Sequence, residues 1–207
     1  MTNEADLRKQ LVELSRSLFD RGYSTGGGGN ISLLLPDGHV LTTPTGSCLG
    51  RLNISTLSKV DLDGNLISGD KPSKEVAFHL EIYKNNTECR AIVHLHSTYL
   101  TALSCIKGLN KENALSPFTP YYVMRIGQLP VIDYFKPGAP QLAQEIGKKA
   151  LYNAILLENH GSVVIGKNLI DAVNNAEELE ETAKLFFILQ NEKIKYLTSK
   201  EIDELKK

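Results

Sequence analysis

The sequence predicts an α/β domain with substantial antiparallel pairing, and three observations carry that prediction. Helical and strand periodicities alternate along the chain, and several strand-like runs are joined by turns too short for a helical crossover. The composition is also that of an ordinary globular chain: 207 residues, 42% hydrophobic and 23% charged, with 16 glycines and 8 prolines. Collagen-like, coiled-coil and largely disordered classes are excluded. A chain of this length buries about 70% of its unfolded surface and needs no crosslinks to fold.

Each element follows from local chemistry. Leu7, Leu11, Leu14 and Leu18 share one face of a helix over 6–21, which ends at Gly22. Gly26-Gly27-Gly28-Gly29 cannot sit comfortably in a helix and permits close approach of backbone to a ligand. Residues 30–35 and 39–43 read as strands of a hairpin around Pro36-Asp37-Gly38. Residues 58–62 and 65–68 form a second hairpin around Asp63-Gly64. Ser73 is expected to cap a helix over 74–85, with Val76, Leu80 and Tyr83 on one face. A largely buried strand at 91–96 and a helix at 97–106 come next. The stretch 107–140 carries Pro117, Pro120, Pro130, Pro137 and Pro140 and is expected to be irregular. A helix over 141–151, a strand at 154–158, the turn Asn159-His160-Gly161 and a strand at 162–165 follow. The long helix over 169–190 places Ile170, Val173, Ala176, Leu179, Ala183 and Phe186 on one face, and the polar tail 191–207 is expected to form a peripheral helix. No repeat or linker interrupts the chain, so 1–207 reads as one domain with a core over about 5–190.

Charge and cysteine usage narrow the function. The formal net charge is -1, whereas a nucleic-acid binder would show a basic surplus. No apolar run approaches the roughly 18 residues of a membrane span, and no basic region followed by an apolar one marks a secretory signal. Cys48, Cys89 and Cys105 are too few and too scattered for a disulfide framework or a CxxC zinc site. The expected setting is cytoplasmic, with neither nucleic acid nor membrane as partner.

Five histidines stand at 39, 79, 94, 96 and 160. In a strand, residues i and i+2 point to one face, so His94 and His96 converge at the end of an apolar run. His160 lies in a tight turn between two apolar runs. Three neutral imidazoles are what a catalytic zinc takes, leaving a position for a carboxylate, water or substrate. Glu75, at a helix start, is the candidate carboxylate. Beside it, Ser73 and Lys74 occupy a helix N-terminus of the kind that suits an anion, and 26–30 and Thr45-Gly46 are further loops of that type. No GxxxxGK[ST] is present, so this is not a P-loop.

Gly29-Asn30-Ile31-Ser32, Thr43-Pro44-Thr45-Gly46, Pro72-Ser73-Lys74-Glu75, His94-Leu95-His96 and Asn159-His160-Gly161, in this order, resemble the class II aldolase/epimerase family over about residues 5–190. The resemblance implies a three-layer α/β/α domain with a mostly antiparallel central sheet, assembled as a homotetramer with sites at subunit interfaces. It implies one zinc per chain held by His94, His96 and His160, with Glu75 as acid/base and as a ligand before substrate binds. It implies phosphate binding by Asn30, Thr45, Gly46 and Ser73, and a tyrosine proton donor from a neighbouring subunit. Tyr121 matches best and Tyr122 second.

The family's aldolases generally read Ser-Ser-Glu where this chain has Ser73-Lys74-Glu75. With 47–51 and 119–125, this is more similar to the family's branch that decarboxylates 3-oxo-tetronate 4-phosphates. The glutamate at 75 argues against the epimerases, which usually carry aspartate there. A 3-oxo acid loses CO2 when its 3-oxygen is stabilised, and zinc acting as Lewis acid would leave a metal-bound enediolate that protonates to dihydroxyacetone phosphate. Lys74 is a candidate for holding the substrate carboxylate. The alternative is a zinc-dependent aldolase of the L-fuculose 1-phosphate type. A non-catalytic module like the adducin head is remote, because that domain lacks the full ligand set.

Other residues carry blander expectations. His79, four residues after Glu75, is either a partner behind Glu75 or a packed histidine. His39 is expected to be exposed, Cys48 has no neighbouring base to make it a nucleophile, and Phe186-Phe187 belongs to packing.

Overall fold

The computed structural model describes residues 3–206. Its middle layer is an eight-stranded sheet of β1 (Asn30–Leu34), β2 (Val40–Thr42), β3 (Ser58–Val60), β4 (Leu66–Ser68), β5 (Ala91–Leu95), β6 (Val131–Ile132), β7 (Ala154–Leu157) and β8 (Gly161–Gly166). The order is β4-β3-β2-β1-β5-β8-β7-β6, and every pairing is antiparallel except β6 with β7. The helices are α1 (Glu4–Asp20), α2 (Val76–Asn85), α3 (Thr98–Ser104), α4 (Pro120–Arg125), α5 (Pro140–Lys148), α6 (Leu169–Ile188) and α7 (Ser199–Leu205).

The helices cover both faces, and the alternation of β5 shows how. Ala91, Val93 and Leu95 join one core with Leu11 and Leu18 of α1, Leu100 of α3, Tyr122 of α4 and Leu179 of α6. Ile92 joins the opposite core with Phe78 and Ile82 of α2 and Leu142 and Ile146 of α5. Each fully buried aliphatic side chain contributes about 1.5–3 kcal/mol. This is the three-layer α/β/α arrangement with a mostly antiparallel sheet that the resemblance implied. His94 lies two residues after Ile92, so the same alternation turns it toward the α2/α5 face, where α2 delivers Glu75.

Two expectations are corrected. Helix α2 begins at Val76 rather than at residue 74, with Glu75 in the capping position. The Ser73 hydroxyl accepts the Glu75 N–H at 3.2 Å, two residues on, so it closes a short turn ahead of the helix instead of capping it. The stretch 107–140 is also less irregular than its prolines suggest. Thr119 accepts the Tyr122 N–H and Pro120 occupies the first turn of α4, so a proline that breaks a helix interior here begins one. The two-residue strand β6 follows. Among the described residues of the tail, the helical part is Ser199–Leu205, started by a reciprocal Thr198–Glu201 cap.

Candidate active site

His94 is wholly buried, and its Nδ1–H donates to the Ser162 carbonyl of β8 at 2.8 Å. That bond fixes the ring and turns Nε2 toward the cluster. His96, just beyond the strand and open to the cleft, brings its Nε2 to 3.0 Å from His94 Nε2. His160 comes from the β7–β8 turn. Asn159 before it is the one non-glycine among the described residues with positive φ (54°). Ser104, ending α3, fixes this turn. Its carbonyl accepts from Asn159 N–H at 3.0 Å and its hydroxyl from His160 N–H at 3.2 Å. A Cβ on Gly161 would strike the Leu95 carbonyl, so glycine is required where the turn crosses the end of β5.

Glu75 completes the cluster. Its Oε2 lies 3.3 Å from His94 Nε2 and its Oε1 3.2 Å from His160 Nε2. Asn30 donates its Nδ2–H to Oε2 at 2.8 Å, whereas Oε1 is buried with no hydrogen-bond partner. Burial by itself raises this carboxyl, but the imidazoles of His160 and His94 outweigh it and hold it well below the usual carboxylate range. Burial, with His94 and His160 close by, pushes His96 down to about 4, so it is neutral at pH 7. The four donor atoms all lie within 4.8 Å of one another. An orphaned carboxylate oxygen among imidazole nitrogens is a donor set that fits zinc.

The cluster opens into a cleft of about 540 Å³. Three loops line it: the glycine run with Gly27, Gly29 and Asn30; Thr45, Gly46 and Ser47; and Ser73 and Lys74. An isolated antiparallel bridge between Pro44 and Pro72 holds the second and third side by side. Gly29 has φ +82°, and a Cβ there would sit 2.7 Å from the His94 carbonyl, so the first loop passes directly over β5. Asn30, Thr45, Gly46, Ser73, Lys74, Glu75, His96 and His160 thus meet in one cleft, with His94 buried beside them.

The tyrosines do not join them. Tyr121 is 60% exposed and lines a separate cavity with Cys89, Gly166 and Lys167. Gly166 pairs with Ala91 at the far end of β5 from His94, so Tyr121 does not serve the cluster of its own chain. Tyr122 is wholly buried, donates its hydroxyl to the Leu115 carbonyl at 3.1 Å, and is pushed up by burial. It is a core anchor rather than the second choice for proton donor. Sequence reasoning missed the Ser162 carbonyl, Ser104 and the conformation of Asn159. Only the last had a signal, since asparagine is one of the few non-glycines that tolerates a left-handed backbone.

Residues 9–187 match the family model described as Class II Aldolase and Adducin N-terminal domain. The chain belongs to this family. It is 59% identical over 199 residues to the 3-oxo-tetronate 4-phosphate decarboxylase of Haemophilus influenzae, covering 96% of this chain and 95% of the relative. It is 43% identical over 179 residues to the L-fuculose phosphate aldolase of Methanocaldococcus jannaschii, covering 86% and 94%. The crystal structure of YgbL from Klebsiella pneumoniae superposes with a TM-score of 0.97 at 57% identity, covering 99% of this chain and 100% of that one. Membership bears out the resemblance read from the motifs, and the chain is an enzyme of the lyase class. No helix among the described residues is long and apolar enough to cross a membrane.

Proposed function

We propose that this chain decarboxylates 3-oxo-tetronate 4-phosphate to dihydroxyacetone phosphate and CO2 with one bound zinc. The observation that carries this reading is the sharing of one cleft by Glu75, the histidine cluster, three anion-suited loops and Lys74. The family relationship to decarboxylases supports it. His94, His96 and His160 would hold the metal, with Glu75 joining them before substrate enters. When bound, the metal supplies a Lewis acid to the oxygen that gains charge.

This chain's own residues do the rest. Thr45, Gly46 and Ser73 bind the phosphate, and Asn30 offers its second amide hydrogen to the same group. Lys74 orients the carboxylate. The C1–C2 bond breaks, CO2 leaves, its electron pair passes through C2 toward the 3-oxygen, and a proton returns to C2. Solvent supplies that proton to Glu75, which takes it up at Oε1 and passes it to C2, and Tyr121 of a neighbouring subunit is the further donor, in a homotetramer of one-domain chains over 1–207. A grip on the carboxylate stronger than Lys74 provides would stabilise the ground state over the transition state. The relationship to L-fuculose phosphate aldolases keeps ketose 1-phosphate cleavage as the second reading. Product analysis after incubation with 3-oxo-tetronate 4-phosphates and with ketose 1-phosphates separates them. CO2 and dihydroxyacetone phosphate from the former support the proposal, and an aldehyde from the latter alone replaces it.

A further inference from the structure

Behind Glu75 runs a buried hydrogen-bonded chain that no step of the mechanism uses. Asn30 Oδ1 lies 2.6 Å from His79 Nε2, His79 Nδ1 lies 2.7 Å from Ser32 Oγ, and Ser32 Oγ lies 2.8 Å from the Tyr83 hydroxyl. His79 and Ser32 are wholly buried. The chain exists because two periods match. Glu75, His79 and Tyr83 recur every four residues, a rise of about 6 Å along a helix. Asn30 and Ser32 recur every two residues, a rise of about 6.7 Å along a strand. Side chains from the start of α2 and from β1 therefore interleave in the order 75, 30, 79, 32, 83.

Its polarity is fixed by elimination. Asn30 donates its amide N–H to Glu75 Oε2 at 2.8 Å, so its carbonyl oxygen faces His79. That oxygen only accepts, so His79 carries its proton on Nε2. Nδ1 must then accept from the Ser32 hydroxyl, whose oxygen accepts from Tyr83. Every donor points toward Glu75 Oε2, and hydrogen bonds aligned in this way polarise one another. The opposite oxygen, Oε1, receives none of them.

We propose that His79 is a positioning residue: through Asn30 it anchors Glu75 by Oε2 and leaves Oε1 as the oxygen that meets the metal and carries the proton. This deepens the reading of Glu75 proposed above and rests on it. Leucine at 79 removes the donor to Asn30, whereas glutamine can still donate to Asn30 and accept from Ser32.

The test uses the full chain and two kinds of readout. Zinc affinity is measured by chelator competition, and kcat and KM are measured on 3-oxo-tetronate 4-phosphate at matched zinc occupancy. His79→Leu should lower zinc affinity and kcat by roughly 10–100-fold, the usual effect of removing a group behind a metal ligand. KM should move only a few-fold, and His79→Gln should recover most of both losses. Ser32→Ala, which frees Nδ1, should show a smaller loss of the same kind. The ¹⁵N shifts of His79 in the unsubstituted protein should report a neutral ring protonated on Nε2. A folded His79→Leu with unchanged zinc affinity and kcat would overturn the proposal, and so would a proton on Nδ1. Should His79→Leu fail to fold, Ser32→Ala and the ¹⁵N shifts decide it, with an unaltered Ser32→Ala counting against. If the unsubstituted protein releases no CO2, the proposed function fails, while zinc affinity and the ring proton still decide the relay.

Discussion

Glu75→Gln separates a working carboxylate from a helix-start charge. Glutamine keeps the shape and can keep Oε1 where Asn30 donates to Glu75 Oε2 at 2.8 Å. Its NH2 then occupies the place of the carboxylate oxygen that has no hydrogen-bond partner and stands 3.2 Å from His160 Nε2. A purely electrostatic role at the helix start would cost about 0.3–1 kcal/mol of stability and leave turnover nearly intact. Loss of the proton-transfer group should instead lower kcat by roughly 10²–10⁴, or about 3–5 kcal/mol in the barrier. Phosphate contacts through Thr45, Gly46 and Ser73 survive, so KM should change far less. The assay is steady-state CO2 release at matched zinc occupancy, because Glu75 also sits among the metal donors. A Glu75→Gln protein with near-normal kcat would refute the mechanism.

Further outcomes follow from other parts of the structure. His96→Ala removes one of the cluster's imidazoles and should lose most of the zinc, read by metal analysis of the purified protein. Tyr121→Phe should lower turnover by roughly 10²–10⁴ in a tetramer with unchanged zinc content, and a fully active monomer would contradict the shared site. Glu180 is buried and accepts from Ser97 Oγ, Tyr99 N–H and Leu100 N–H at 2.7–2.9 Å. Glu180→Ala should therefore cost roughly 3–5 kcal/mol and lower Tm by about 10 °C in thermal unfolding. His79 is pushed down to about 3 by burial and by nearby His94, while the unfolded ring titrates near 6.5. Between those values the unfolded chain binds the extra proton, so stability falls as pH falls, with a slope that rises toward about 1.4 kcal/mol per pH unit near pH 5. Urea unfolding between pH 6.5 and 5 should show this slope reduced in His79→Gln, and equal slopes would contradict it.

What the sequence shows depends on whether a signal is local. His94 and His96 are legible because a strand's period of two aligns them within one apolar run, and His160 because a His-Gly turn between two apolar runs is unusual. Pro120 misled, because a proline starts or stops a helix according to its position, and the Thr119 cap that decides this is a weak mark. Tyr121 and Tyr122 are adjacent and chemically identical. Only the packing of α4 sends one into the core and the other to solvent.

The chain behind Glu75 marks where local reading stops. Spacings of four at 75, 79 and 83 and of two at 30 and 32 are both visible in the sequence, and each alone describes one face of one element. Their interleaving depends on how far α2 is slid along β1, which neither period encodes. Long-range packing sets that slide, through Phe78 and Ile82 wedged against Ile92 and the strands beside it. A shift of one helical residue would carry His79 about 100° around the axis and separate it from Asn30. The hydrophobic face of α2 therefore fixes, through its register, which oxygen of Glu75 is anchored and which is left for chemistry.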